Sequence, residues 1–244
     1  MDFGGFFRWG LILQAIALIH FARRRPESFW LFVIIFLGGL GAAVYIVVEV
    51  VPDLGLLRAS LDRFSRRRRI ATLEAVVREN SAVGNLEELA DLLLEERQFA
   101  RARDLYDQVI TPRTDALDPF YRRGIAALEL KDPQAAVADF ERVVAKDPKY
   151  DFHRAIGLLA HTYALTGQPD KADTAFQAAL DKSTLSETQL NYATFLAAQG
   201  RHDEARAMAQ KMLDRKHSIP RYLQRRERPW FRKAAGVLKK LPKS

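Results

Sequence analysis

The chain has 244 residues, 48% of them hydrophobic, and carries 38 Lys plus Arg against 30 Asp plus Glu, a formal net charge of +8. It contains no Cys, which excludes disulfides, thiolate nucleophiles and Cys-ligated zinc or iron–sulfur centres while suiting a reducing or an oxidising compartment equally. Charge is unevenly placed: six Arg and one acid (Asp62) from Arg58 to Arg69, then 16 basic against 23 acidic side chains from Ile70 to Gln210, then 12 basic against Asp214 and Glu227 from Lys211 to the end. An acidic body between two basic flanks is ordinarily solvated surface, and it also suits anionic partners.

The first 52 residues differ in composition from the rest and predict a membrane hairpin. Trp30 to Val51 is 22 residues with one charge, Glu49, close to its end. At the rise of an α-helix it would reach about 33 Å, enough for a hydrocarbon core of about 30 Å, and no polar stripe at helical spacing marks it as a soluble core helix. Phe3 to Ala22 is apolar apart from Arg8, Gln14 and His20. A cleaved signal peptide would need a basic start and a small-x-small site, whereas this segment starts with Asp2 and ends in IHFARRR. A re-entrant or interfacial helix is the other alternative. Two spans, about 3–22 and 30–51, joined by the loop Arg23 to Phe29, is the reading taken. Gly38, Gly39, Gly41, Ala42 and Ala43 form a small-residue patch that would let the second span approach the first or a partner, or would simply make a Gly-rich helix. Glu49 is either functional, since charges within a span are costly, or, two residues from the boundary, simply interfacial.

With both spans crossing, Arg8, Arg58, Arg63 and Arg66 to Arg69 share one side with the bulk of the chain, while Arg23, Arg24 and Arg25 occupy the loop. Positive-inside counting then places the large domain on the cytoplasmic side of an inner membrane, although the loop arginines, lying closest to the bilayer, argue the opposite. The Arg-rich loop and the Trp-led span WLFVIIFLGGLGAAVY resemble the N-terminal membrane segment of bacterial cardiolipin synthases, over the first fifth of the chain. That resemblance implies an anchor in a bacterial cytoplasmic membrane. The H-x-K-x-x-x-x-D signature of those enzymes is missing, since none of His20, His153, His161, His202 or His217 has Lys two places on, and the lipid-synthesis activity does not carry over.

Residues 53–82 read as a basic linker and a capping helix, with Leu73, Val76 and Val77 at helical spacing to cover the next element. From Val83 the chain falls into blocks of 34: Val83–Ala116, Leu117–Tyr150, then after two extra residues His153–Ser186, and a last block beginning at Ser186. The eighth position reads Ala90, Gly124, Ala160, Ala193; the twentieth Ala102, Ala136, Ala172, Ala205; the twenty-fourth Tyr106, Phe140, Phe176, Ala209; the twenty-seventh Val109, Val143, Ala179, Met212. In this pattern the chain resembles the tetratricopeptide repeat family over about 83–217. The resemblance implies antiparallel helix pairs in which small residues permit close contact and larger ones fill the gap to the next pair. Lys131-Asp132-Pro133, Gly167-Gln168-Pro169 and Gly200-Arg201 mark the turns between paired helices. Arg123 stands where an apolar residue is usual, and the terminal Pro occurs only as Pro148. The last block, with Ala209 in place of an aromatic, reads as degenerate, as end repeats often are; a generic helical bundle is the competing reading. In 218–244, Trp230, Phe231, Ala234, Val237 and Leu238 form an apolar stripe on a basic capping helix. The expected fold is therefore all-α: two transmembrane helices, then a tetratricopeptide-like α-solenoid of about four helix pairs with capping helices.

No phosphate-binding, dinucleotide, metalloprotease, nucleophile-elbow or EF-hand motif occurs, and the five His residues show no metal-ligand spacing. The expectation is a non-enzyme with no catalytic, metal or cofactor site. The family pattern implies a concave face lined by Glu87, Asp91 and Glu95 in the first block and Tyr121, Ile125, Leu128 and Glu129 in the second. Arg154, His161 and Leu165 follow in the third, Leu190 and Thr194 in the fourth. The family's carboxylate clamp, Lys at the fifth and Asn at the ninth position, is absent. An acidic N-terminal half suits a basic, or mixed basic and apolar, protein segment, or is only solvated surface. Arg66, Arg67, Arg68 and Arg69 follow the second span closely and are expected to contact anionic lipid. Nucleic acid is not expected, because no RNA- or DNA-binding fold is evident. The function expected is a membrane-anchored scaffold that recruits proteins; the alternative is an accessory subunit of a membrane enzyme complex.

Overall fold

A computed structural model describes residues 3–24, 28–50 and 56–242, with thirteen α-helices among them. The chain divides into two compact units, residues 1–72 and 73–244.

The first unit holds α1 (Phe3–Arg24), α2 (Phe29–Phe36) and α3 (Gly38–Tyr45), the last running into a π-helical turn, Ile46–Val50. It also holds most of α4 (Leu56–Glu79). Ala17, Ile34, Ala42 and Tyr45 are buried together, with Leu13, Phe21 and Trp30 packed around them. The glycines let α1 and α3 meet: a Cβ on Gly39 would lie 2.8 Å from the Gly10 Cα. His20 Nδ1 and the Tyr45 hydroxyl lie 3.0 Å apart.

The segment expected to be one span is broken. Leu37 sits at φ −92°, ψ 1° and Gly38 at φ +56°, so α2 and α3 have 8 residues each, about 12 Å long against a hydrocarbon core of about 30 Å. The break leaves the Ile34 carbonyl to accept from Gln14 Nε2 at 2.9 Å. In α1, Arg8, Gln14 and His20 interrupt the apolar run, and Arg23 and Arg24 end it. Among the described residues no helix is long and apolar enough to cross a membrane. The two transmembrane helices are therefore corrected, and with them falls the expected placement in a bacterial inner membrane. Arg25 in the expected loop lies outside the described residues, as do the side chains of Arg8, Arg23, Arg24 and Arg58.

The second unit is an all-α array. Its pairs are α5 (Val83–Glu95) with α6 (Phe99–Val109), α7 (Asp118–Glu129) with α8 (Pro133–Lys146), α9 (Arg154–Leu165) with α10 (Pro169–Leu180), and α11 (Ser186–Ala198) with α12 (His202–Ser218). Each first helix ends on a left-handed residue: Arg97, Lys131, Gly167 and Gly200, at φ 62°, 64°, 72° and 74°. The next amide reaches back to close the helix end in each: Gln98 to Leu93 O, Asp132 to Ala127 O, Gln168 to Tyr163 O and Arg201 to Leu196 O, at 2.8, 2.9, 2.9 and 2.9 Å. These bonds satisfy carbonyls that a helix end would otherwise orphan. Asp132, Gln168 and Arg201 then precede the second helix, and Pro133 and Pro169 supply the fixed φ its first turn wants.

All four residues at each of the eighth, twentieth, twenty-fourth and twenty-seventh positions are buried. The small residues are there because nothing larger fits: a Cβ on Gly124 would sit 2.9 Å from two carbons of the Phe140 ring. Phe176 bridges to the next pair, its centroid 5.1 Å from Tyr192 and 5.7 Å from Phe195. Arg123 fits this core as an ion pair: it donates to both oxygens of buried Asp139, at 2.6 and 2.9 Å, and to Asp107 at 2.8 Å.

At the array's ends, Leu73 is buried and Glu74 pairs with Arg101 at 2.5 Å, whereas Val76 is 37% exposed. Of the three α4 residues expected to cap the first repeat, Leu73 alone is fully buried. A final helix, α13 (Arg221–Lys240), packs on α11 and α12, where Ala234 joins Leu190 and Met212 with Trp230 and Val237 around them. Its outward face carries exposed Arg225, Arg226, Arg228 and Arg232.

Candidate protein-binding groove

The first helices of the pairs (α5, α7, α9 and α11) form the inner row, and the expected groove residues lie on them. Glu87 and Asp91 are half-buried and Glu95 is exposed. Of the three, Asp91 is tied to its neighbours. The Tyr106 hydroxyl donates to Asp91 Oδ1 at 2.6 Å. Arg122 Nε lies 3.4 Å from the same oxygen and donates to Asp118 Oδ2 at 2.5 Å. Burial raises the pKa of the Glu87 carboxyl, and the Asp91 charge beside it adds to the effect; burial likewise raises Asp91, against the Tyr106 hydrogen bond.

One repeat further the polar contacts continue. Tyr121 is buried and its hydroxyl donates to Asp151 Oδ2 at 2.5 Å, while the Tyr150 hydroxyl donates to Asp118. The two rings meet edge to face with centroids 5.0 Å apart. Arg154 spans to the next inner helix, its Nε donating to Glu187 Oε2 at 2.6 Å and one terminal nitrogen to Oε1 at 3.3 Å. Its other terminal nitrogen lies 3.3 Å from the Tyr121 hydroxyl and 3.5 Å from Asp151 Oδ2. Charged partners on both sides keep Arg154 fully cationic despite its burial.

The remaining expected residues divide. Ile125 and Leu128 are half-buried against the core, and Glu129 and Leu165 are exposed. His161 is half-buried, and desolvation holds its pKa below the ordinary value of 6.5, so it is a neutral imidazole at neutral pH. Thr194 is exposed and bonds back to the Leu190 carbonyl at 2.9 Å. Leu190 is only 5% exposed, packed with Ala234 and Met212, and with Thr194 it lines a cavity against α13. Arg67, Arg68 and Arg69 are exposed along α4 and Arg66 is half-buried. The lipid contact expected of them rested on spans that do not form.

Sequence reasoning missed Asp118, Arg122, Tyr150 and Asp151. Its one available signal was the pair of extra residues between the second and third blocks. Those residues and the next, Asp151, Phe152 and His153, are all left-handed, at φ 48°, 52° and 65°. For residues with a Cβ this conformation costs about 1–2 kcal/mol each, and such strain persists where surrounding structure enforces it. Here Tyr121 and Arg154 hold Asp151, while Phe152 stands 85% exposed. Beside this turn a cavity of about 490 Å³ opens on the inner face, walled by Tyr121, Arg122, Ile125, Tyr150, Asp151 and Arg154, with Asp118 and Leu94 completing it.

Comparison with known proteins places this array. Family models described as Tetratricopeptide repeat match residues 87–151 and 158–217, and residues 127–186. Among solved structures, a MamA fragment (residue 41 to the end) from Desulfovibrio magneticus is similar at a TM-score of 0.58 and 23% identity, over 67% of this chain and 93% of that one. YrrB, described as a tetratricopeptide protein with an unusual peptide-binding site, gives 0.54 and 18%, over 66% and 82%. A thermophilic tetratricopeptide protein of Thermus thermophilus gives 0.54 and 21%, over 77% and 96%. At these identities the likeness is one of fold. No curated protein matches the chain. The expected likeness of the N-terminal hairpin to cardiolipin synthases finds no support in any of these comparisons.

Proposed function

We propose that this chain, which belongs to the tetratricopeptide repeat family, is a non-enzymatic adaptor whose inner face holds an extended, basic or mixed basic and apolar segment of a partner protein. Members of the family bind other proteins or peptides and generally act as scaffolds, and YrrB, with the same fold, is described by its peptide-binding site. The observation that carries the reading is the inner row itself. Glu87, Asp91, Glu95, Asp118, Glu129, Asp151 and Glu187 line it with Arg122 and Arg154 between them, beside half-buried Ile125 and Leu128. Excess negative charge next to apolar surface complements a segment that alternates cationic and apolar side chains.

Photo-cross-linking tests it in cells that make the full chain. A benzophenone amino acid in place of Ile125 is expected to capture a discrete partner. The same probe in place of Gln177, exposed on the outer helix α10, is expected to capture none. Equal capture at both positions would contradict recognition through the inner face.

A further inference from the structure

We propose that the cavity between α11 and α13 binds a small amphiphilic anion, an aliphatic body with one anionic head, such as a medium-chain fatty carboxylate. The site is separate from the cavity beside Asp151 and does not depend on what the inner face holds.

No further helix pair follows α12; α13 closes the array, and the closure is incomplete. A cavity of about 490 Å³ remains, within the roughly 300–1,000 Å³ of small-molecule sites. Half-buried Ala197, Val237 and Leu241 give it an aliphatic wall. Arg206 on α12 ties down the chain just past α13: one terminal nitrogen donates to the Pro242 carbonyl at 2.5 Å and the other to Asp203 at 2.8 Å. Gly236 lines the same space, and a Cβ added there would meet nothing within 4 Å. Glycine inside a helix is less favourable than alanine, and alanine would fit, so the chain's own packing does not require this glycine. A second body in the cavity would.

The charge of the wall has one sign. Lys233 and Lys240, about two turns apart on α13, are its charged groups, and no Asp or Glu contributes to it. Among the described residues neither lysine has an ion-pair partner; Lys233 Nζ lies over the Trp230 ring at 5.0 Å. The hydrogen-bonding groups agree. Thr194 gives its proton to the Leu190 carbonyl at 2.9 Å, and the Pro242 carbonyl already accepts from Arg206. His202 adds a buried Nδ1 without a hydrogen-bond partner among the described residues. A visitor therefore meets two ammonium groups and an imidazole beside aliphatic surface. An anionic head gains charge-assisted hydrogen bonds from the lysines, whose stems can lie along an apolar body. A cation would face like charge, and an inorganic anion would leave the aliphatic wall in water.

The test is isothermal titration calorimetry of the full chain with sodium decanoate below its micellar concentration. Saturable binding to one site per chain is expected. Acetate, which has the head alone, and decan-1-ol, which has the body alone, should each bind at least tenfold more weakly. Lys233→Gln/Lys240→Gln should weaken decanoate at least tenfold and bring it within threefold of decan-1-ol. Gly236→Leu, which fills the cavity from α13, should abolish decanoate binding while the chain keeps its unfolding midpoint. Lys239→Gln, exposed on α13 outside the cavity, should stay within twofold. Absence of saturable binding, decan-1-ol matching decanoate on the unaltered chain, or an equal loss with Lys239→Gln would overturn the site. So would decanoate binding unmoved by the lysine pair, whose exposed side chains can be exchanged without touching the core, and that variant decides even where Gly236→Leu lowers stability.

Discussion

At the scale of the residue, the array is punctuated by one backbone state. Every inner helix ends on a left-handed residue whose follower closes the helix end, and Gly167 and Gly200 suit that state because they lack a Cβ. Arg97 occupies the same place at φ 62° with an exposed side chain. Arg97→Gly is therefore expected to raise stability by about 1 kcal/mol: relief of the steric cost outweighs the greater freedom glycine has when unfolded. Urea unfolding should show a higher midpoint with an unchanged slope; a lower midpoint would mean that the arginine side chain stabilises the turn by other contacts. The two glycine turns and the Lys131-Asp132-Pro133 turn were legible in the sequence because Gly and Pro announce themselves. The first turn was not, since Glu96-Arg97-Gln98 contains neither, and only its equivalence in the repeat marks it.

At the scale of the element, pairing depends on the small residues at the eighth and twentieth positions. Ala102, Ala136, Ala172 and Ala205 are wholly buried, and Gly124 faces a wholly buried Phe140 whose ring has nowhere to move. Gly124→Ala is expected to cost about 1–3 kcal/mol, the usual effect of overpacking a filled core. Gly236→Ala, on α13 with nothing within 4 Å of its added Cβ, should gain about 0.5–1 kcal/mol from helix propensity. Thermal unfolding of the two variants should move in opposite directions; a shared direction would refute the close-approach explanation. These positions were legible because steric exclusion repeats in phase with the chain. Arg123 was legible only as an anomaly: Asp107 and Asp139, which neutralise it, lie on different helices, 16 residues away on either side. The N-terminal hairpin misled for a related reason. Apolar composition over Trp30–Val51 says nothing of continuity, and Gly38 at φ +56° breaks the run into pieces too short to cross a bilayer.

At the scale of the molecule, a repeating stack generates its inner face as a by-product of packing, and departures from the repeat give that face its individuality. The period marked the positions expected to line a groove, but not the contacts made there. Leu190 is covered by α13, Asp91 is shared between Tyr106 and Arg122, and the cavity exists because Asp151 and Phe152 stand outside the period. None of these contacts is local in sequence, since each joins residues at least 15 positions apart. The central claim, that the inner face is the recognition surface, is tested most directly by amide hydrogen exchange of the full chain with and without a saturating concentration of a captured or selected peptide. The account predicts slowed exchange in the inner helices α7 and α9, with α8 and α10 unchanged. Slowing confined to α8, α10 or the basic face of α13 would contradict it.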